Sequence, residues 1–198
     1  MTLTETMGGT IGSVDLPAAE RAAADLMKAL GMDTDDPDLA RTPERVAHAY
    51  ADLLTPREFT MTTFPNTEGY DELVVVSSIA FTSLCEHHLL PFTGTASVGY
   101  LPGQRILGLS KLARVVELFA RRPQVQERMT KQIAEWLDGH LAPRGTGVVV
   151  TAEHSCMTLR GARATGSVTT TSAHTGLIRT DQRTRSEFLS LTHQPVRA

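Results

Sequence analysis

The sequence predicts an α+β fold, a mostly antiparallel sheet carrying helices on one face. Three observations lead there. Helix-start signals and an Ala-rich run come first, and short apolar β-type runs replace them after Glu72. From Leu112 an apolar stripe at i, i+3, i+4 and i+7 marks a long helical pair, followed by two more strand-like runs and a last helix. The 198 residues, 41% hydrophobic and 21% charged, suffice to bury a core without disulfide staples.

Residues 1–14 are small and polar, with Gly8, Gly9 and Gly12, and are expected to fray. Asp15 and Pro17 signal a helix that runs to about Leu30, where Gly31 ends it. Asp33 to Asp38 make an acidic loop. Thr42 as N-cap and Pro43 at the first helical position predict a second helix through about Leu54. Thr55 to Tyr70, carrying Pro and Gly, reads as a connecting loop. Strands are expected at 73–76, 79–82 and 95–101. Leu112, Val115, Val116 and Phe119 define the next helix, with Ser110 as its N-cap. Pro123 is expected to restart the helix, whose apolar face continues through Val125, Met129, Ile133, Trp136 and Leu137 to about His140. Residues 147–152 and 167–172 read as strands, and 181–191 as the last helix. The chain thus divides into a flexible N-terminus (1–14), a helical arm with its linker (15–70) and a main domain (71–198).

Charge is distributed unevenly. Residues 1–100 carry a balance of −10 and residues 101–198 one of +7, within a net −3. No Lys/Arg block and no RRM, KH or zinc-finger spacing points to nucleic acid, and scattered arginines suit a small polyanion such as a nucleotide triphosphate better. Solvated faces and pairing between the halves account equally well for the charge alone. No basic segment followed by an apolar stretch opens the sequence, and no run approaches membrane-spanning length, so a cytoplasmic protein with reduced thiols and no membrane partner is expected.

The only two cysteines flank histidines. Cys85-Glu86-His87-His88 sets a thiol and an imidazole three residues apart, and His154-Ser155-Cys156 offers the same ligand types far downstream. A buried thiol beside a surface histidine would explain C-x-x-H alone. The pairing of both cysteines with three of the seven histidines favours zinc, which takes sulfur and nitrogen ligands as a close pair plus distant partners. Two Cys and three His permit either a closed structural site or an open catalytic one.

Longer stretches carry a family resemblance. The segment from Ser83 through Cys85-Glu86-His87-His88 to Phe92, the Gly108-Leu109-Ser110-Lys111-Leu112 stretch, Arg122 to Arg128, and His154 through Cys156 to Gly161 together resemble zinc-dependent GTP cyclohydrolase I. Arg41 to Ala47 and Arg185 to Leu189 are similar too, so the likeness runs in order over roughly residues 20–191. The family implies the tunnelling fold, with 71–198 as its catalytic domain. It also implies a homodecamer of two stacked pentameric rings with active sites at subunit interfaces. The activity implied is hydrolysis of GTP at C8 of guanine, loss of formate and rearrangement to 7,8-dihydroneopterin triphosphate, the first step of tetrahydrofolate and pterin biosynthesis.

The resemblance also assigns roles. Cys85, His88 and Cys156 are the implied ligands of one Zn2+ per subunit, with the fourth position left for water. His87 and His154 match the acid/base histidines, the side chain that titrates near neutral pH. Ser110, Lys111 and Arg114 are implied against the triphosphate, with Arg160 and Arg45 helping; His48 stands where some relatives carry a lysine near the phosphate tail. Glu127 is implied to accept from guanine N1–H and the 2-amino group, a donor–donor edge that an ionised carboxylate complements, with Gln126 assisting. Glu86 takes no role from the resemblance; bracing the ligand loop is the reading offered for it here. A related tunnelling-fold enzyme acting on a pterin or 7-deazaguanine precursor predicts a different Cys/His arrangement. A non-catalytic zinc- and nucleotide-binding assembly predicts no formate release.

Overall fold

In the computed structural model, which describes residues 13–192, the Asp15 carboxylate accepts the Ala18 N–H at 3.0 Å and so caps α1 (Leu16–Ala29). Gly8, Gly9 and Gly12 lie outside the described residues. Gly31, at φ 81°, takes the left-handed turn that stops α1, as expected of a glycine just past a helix end. The second helix, α2 (Thr42–Leu54), begins one residue earlier than anticipated: Arg41 is its N-cap, and no side chain caps it. Thr42 is already helical, so its hydroxyl is not the cap. The helices α1 and α2 pack on each other, burying Ala23, Met27 and Ala47. They belong to one compact unit ending at Pro56; a second unit starts at Arg57 and holds everything described below.

The segment read as a loop contains a short strand, β1 (Thr63–Pro65), which pairs antiparallel with β4 (Arg105–Leu107). Three residues are too few to show a period, and the pairing partner lies some forty residues away. The two short apolar runs after Glu72 are one long strand, β2 (Val74–Cys85), with a register irregularity between Val76 and Ile79 where Ser78 turns to φ 58°. It pairs antiparallel with β3 (Pro91–Leu101), which pairs with β6 (Gly145–His154), which pairs with β7 (Thr169–His174).

Between β4 and β6 lie α3 (Leu109–Ala120) and α4 (Gln126–Leu141). Ser110 is not the N-cap of α3. Gly108 holds that position, and no side chain caps the helix. Nor does Pro123 restart a helix: Pro123–Gln124 form β5, parallel to the end of β2, and α4 starts two residues later. Proline lacks an N–H and holds φ near −65°, which a two-residue edge strand tolerates as readily as a first helical turn. The five-stranded order is β5-β2-β3-β6-β7. Two short helices not anticipated, α5 (Ser155–Thr158) and α6 (Gly176–Thr180), precede α7 (Gln182–Thr192).

The core follows from strand alternation. Ala96, Val98 and Tyr100 of β3 and Val148 and Val150 of β6 face Leu112, Val115, Val116 and Phe119 of α3 and Met129, Ile133 and Leu137 of α4. The buried Tyr100 hydroxyl accepts the Leu107 N–H at 2.9 Å. On the opposite face Gly99 and Gly147 stand side by side and make room for Phe188 of α7, itself fully buried. A Cβ on Gly147 would lie 2.6 Å from that ring.

Candidate functional site

Strand β2 delivers Cys85 at its last residue, buried, and the chain then turns tightly. The Leu89 and His88 N–H groups both donate to the Cys85 carbonyl, at 2.8 and 3.3 Å, and the Cys85 N–H donates to Leu90 O at 2.9 Å. Leu89 sits at φ 53° to complete the turn. This geometry folds His88 back over Cys85, its Nδ1 3.7 Å from Sγ. The third member arrives from strand pairing: β6 ends at His154 opposite Phe92 of β3, and the helical turn α5 that follows carries Cys156 to the same place. One ligand atom from each of Cys85, His88 and Cys156 lies within 4.8 Å of the others.

The donor set fits zinc. Tetrahedral coordination with the usual Zn–S and Zn–N lengths sets sulfur and nitrogen about 3.6 Å apart, against 3.7 Å here. Burial, then the neighbouring Cys85 thiol, pushes the Cys156 thiol above its ordinary range, while the charge of Arg160 works the other way. Two thiols held this close disfavour a pair of bare thiolates, a repulsion that a soft divalent cation between them would remove.

Both predicted acid/base histidines adjoin this group, in unlike settings. The His154 ring stacks on Phe92, with centroids 4.6 Å apart and planes 4° apart, and its Nε2 lies 2.7 Å from Gln126 Oε1. Burial pushes its titration below the ordinary histidine range, and the charge of Glu127 partly offsets this. His87 is solvent-exposed, its Nε2 3.6 Å from Glu86 Oε1. Glu86 has a definite partner that sequence reading left unnamed: it is ion-paired with Arg128 of α4, and that contact holds its carboxyl below the usual carboxylate range. Arg128 Nε donates to Gln124 Oε1 at 3.0 Å, and the buried Gln124 amide donates to Phe119 O and Gln132 Oε1 at 2.9 Å each. These contacts tie the turn after Cys85 to α4 and β5.

Glu127 lies exposed in the first turn of α4 and lines an open cleft with Lys131, Ser172, His174 and Arg179. Gln126 does not join it there. Its side chain is buried and both of its polar atoms are engaged by the protein, so a direct ligand contact would first have to break those bonds. Ser110, Lys111 and Arg114 ride on the first turns of α3, where Arg114 already donates to Glu117 Oε2 at 3.1 Å. Arg160 is exposed just beyond α5, and Arg45 belongs to the other compact unit. Gln124, Arg128 and Phe92 were missed as supporting residues. Their one sequence signal was membership of the quoted motifs.

The GTP cyclohydrolase I family model matches residues 19–193. The GTP cyclohydrolase 1 of Mycobacterium marinum is 50% identical over 188 residues, covering 92% of this chain and 93% of its own. That of Rhodopirellula baltica is 48% identical over 186 residues, covering 91% and 80%, and that of Aquifex aeolicus 46% over 179, covering 90% and 97%.

Proposed function

Because the chain belongs to the GTP cyclohydrolase I family and carries its activity, we propose that Cys85, His88 and Cys156 hold its zinc ion, one per subunit, beside His154 and His87 as proton-transfer groups. The reaction is hydrolysis of GTP at C8 of guanine, release of formate and rearrangement to 7,8-dihydroneopterin triphosphate, the first step of tetrahydrofolate and pterin biosynthesis. Convergence of the three ligand atoms within 4.8 Å beside the stacked His154 ring carries the assignment. When bound there, zinc supplies activation of water as a nucleophile near neutral pH.

The protein's own groups do the rest. His154, held against Phe92, stands next to the ligand turn and moves protons as the imidazole of guanine opens. His87, its Nε2 3.6 Å from Glu86 Oε1, serves the exposed side. Glu127 takes the N1–H and 2-amino edge of guanine with two acceptor oxygens against two donors. The triphosphate falls to Ser110, Lys111 and Arg114 at the α3 N-terminus, which lacks a side-chain cap and so leaves first-turn N–H groups for an anion. Arg160 and Arg45 assist. Arg160 is close enough for its charge to act on Cys156.

The binding groups of the main unit are spread over α3, α4 and the turn after α5. The assembly proposed from the family resemblance is a ring-shaped homo-oligomer, a decamer of two pentamers, in which neighbouring subunits complete each site. Residues 71–198 serve as the catalytic domain and 15–70 as the arm, in a cytoplasmic enzyme; no described helix is long and apolar enough to cross a membrane. Incubating zinc-loaded protein with GTP and measuring formate beside a pterin chromophore tests the reading. Tight zinc and bound nucleotide without formate would mark a non-catalytic assembly.

A further inference from the structure

Gln126 is 1% exposed, and its side-chain nitrogen lies 3.0 Å from Val150 O, 3.0 Å from Thr169 O and 3.1 Å from Thr171 Oγ1. Two of these are main-chain carbonyls, which only accept. The amide therefore has one tenable orientation, since flipping it would set an oxygen against two carbonyl oxygens. Gln126 Oε1 then faces His154 Nε2 at 2.7 Å as an acceptor and requires a proton on that nitrogen.

The hydroxyls behind the amide are directed in the same way. Thr130 Oγ1 lies 2.7 Å from Gln126 O, again a pure acceptor, so the Thr130 hydroxyl donates there. Having spent its hydrogen, Thr130 Oγ1 accepts from Thr171, 2.7 Å away, and Thr171 Oγ1 is left to accept from the Gln126 amide. The Thr130 and Thr171 hydroxyl protons each have one place to go, the two amide hydrogens are shared among three acceptors, and three carbonyls anchor the directions.

We propose that Gln126 is a positioning residue rather than a contact to GTP: through this buried network it holds His154 as the Nε2–H tautomer, so that Nδ1 is the nitrogen that gives and takes protons during turnover. Stacking on Phe92 fixes the plane of the ring, and Gln126 fixes which edge is spent. The proposal rests on the reading of His154 as a proton-transfer group, but its first test does not depend on activity.

In zinc-loaded protein at a pH where the ring is neutral, solid-state 15N spectra, with His154 assigned by difference from His154→Ala, are expected to show a protonated Nε2 and a bare Nδ1. A proton on Nδ1 overturns the proposal whatever the kinetics. Gln126→Met fills the space without an acceptor. It should keep its zinc and its KM for GTP while kcat falls roughly 10²–10⁴-fold, the worth of a positioned acid/base group. A raised KM with kcat intact would instead make Gln126 a GTP contact and also overturn the proposal. Should that variant fail to fold, Thr171→Val removes one acceptor from the amide and is expected to lower kcat less, again at constant KM; a change in KM alone refutes it. Full activity in His154→Ala refutes the underlying proton-transfer reading and leaves the tautomer result standing.

Discussion

For the zinc site proposed at Cys85, His88 and Cys156, residue type and position act together, because soft thiolates and an imidazole suit zinc and three ligands would leave an open position. Cys85→Ser, His88→Ala and Cys156→Ser are each expected to lose bound zinc and formate release in parallel. Metal analysis of the purified variants checks this, and full zinc with full turnover in any one removes that residue from the set. Glu127 is a different kind of test, since it lies exposed in a cleft where a merely solvated carboxylate would do nothing. Facing guanine, it offers two acceptors to two donors, whereas adenine presents a lone pair at N1 and no 2-amino group. Sites built on such hydrogen bonds reject a mismatched analogue by roughly 10⁴–10⁵-fold. Negligible turnover of ATP is expected, with a large loss of GTP turnover in Glu127→Ala at unchanged zinc content; wild-type rates in that variant would return Glu127 to the solvated surface.

The elements position these residues by where they stop. Strand β2 ends at Cys85 and β6 ends at His154, so both halves of the site stand at one end of the two strands that flank β3, and the α4–β5 brace through Arg128 and Gln124 holds the turn after Cys85. At the other end of the same strands the sheet is closed by α7, whose Phe188 ring sits over Gly99 and Gly147. Gly147→Ala would push a methyl into that ring, and overpacking of this kind costs about 1–3 kcal/mol. The expected result is a lower unfolding midpoint with normal zinc content and near-normal activity at moderate temperature; an unchanged midpoint would show that α7 moves aside freely. Long apolar stripes such as Leu112–Phe119 made α3 and α4 legible in advance. Short elements such as β1, β5 and α5 were not, because two to four residues show no period and take their conformation from distant partners.

For the molecule as a whole, acid stability carries the signature of Glu117. Hydrogen bonds from Arg57 above all, and from Arg114, hold its carboxyl below the usual range, so the unfolded chain binds its proton more readily than the folded one. The stabilisation is therefore present above the unfolded carboxylate value of about 4.3 and is lost as pH falls through the lower folded value. Arg57 is largely exposed, so the effect is modest and weakened by salt. Glu117→Gln is expected to flatten the fall of the unfolding midpoint below about pH 5; an identical pH profile in the variant would show the pair to be idle. Assembly is the larger prediction. Light scattering at micromolar concentration should give ten times the 21.5 kDa chain mass, and an active monomer would refute a site shared between subunits. Local pattern determined the α+β order and the long helices, because each is written in neighbouring residues; residue chemistry offered two cysteines and three histidines as metal-ligand candidates, and the choice among them and the acid/base roles came from the family resemblance. Only the tertiary structure decided that Ser110 is not a cap, that Glu86 pairs with Arg128, and that Gln126 turns inward to His154. Those outcomes hang on carbonyls and charges brought close by strand pairing, across 28 positions of the chain in the case of Gln126 and His154 and 42 in that of Glu86 and Arg128.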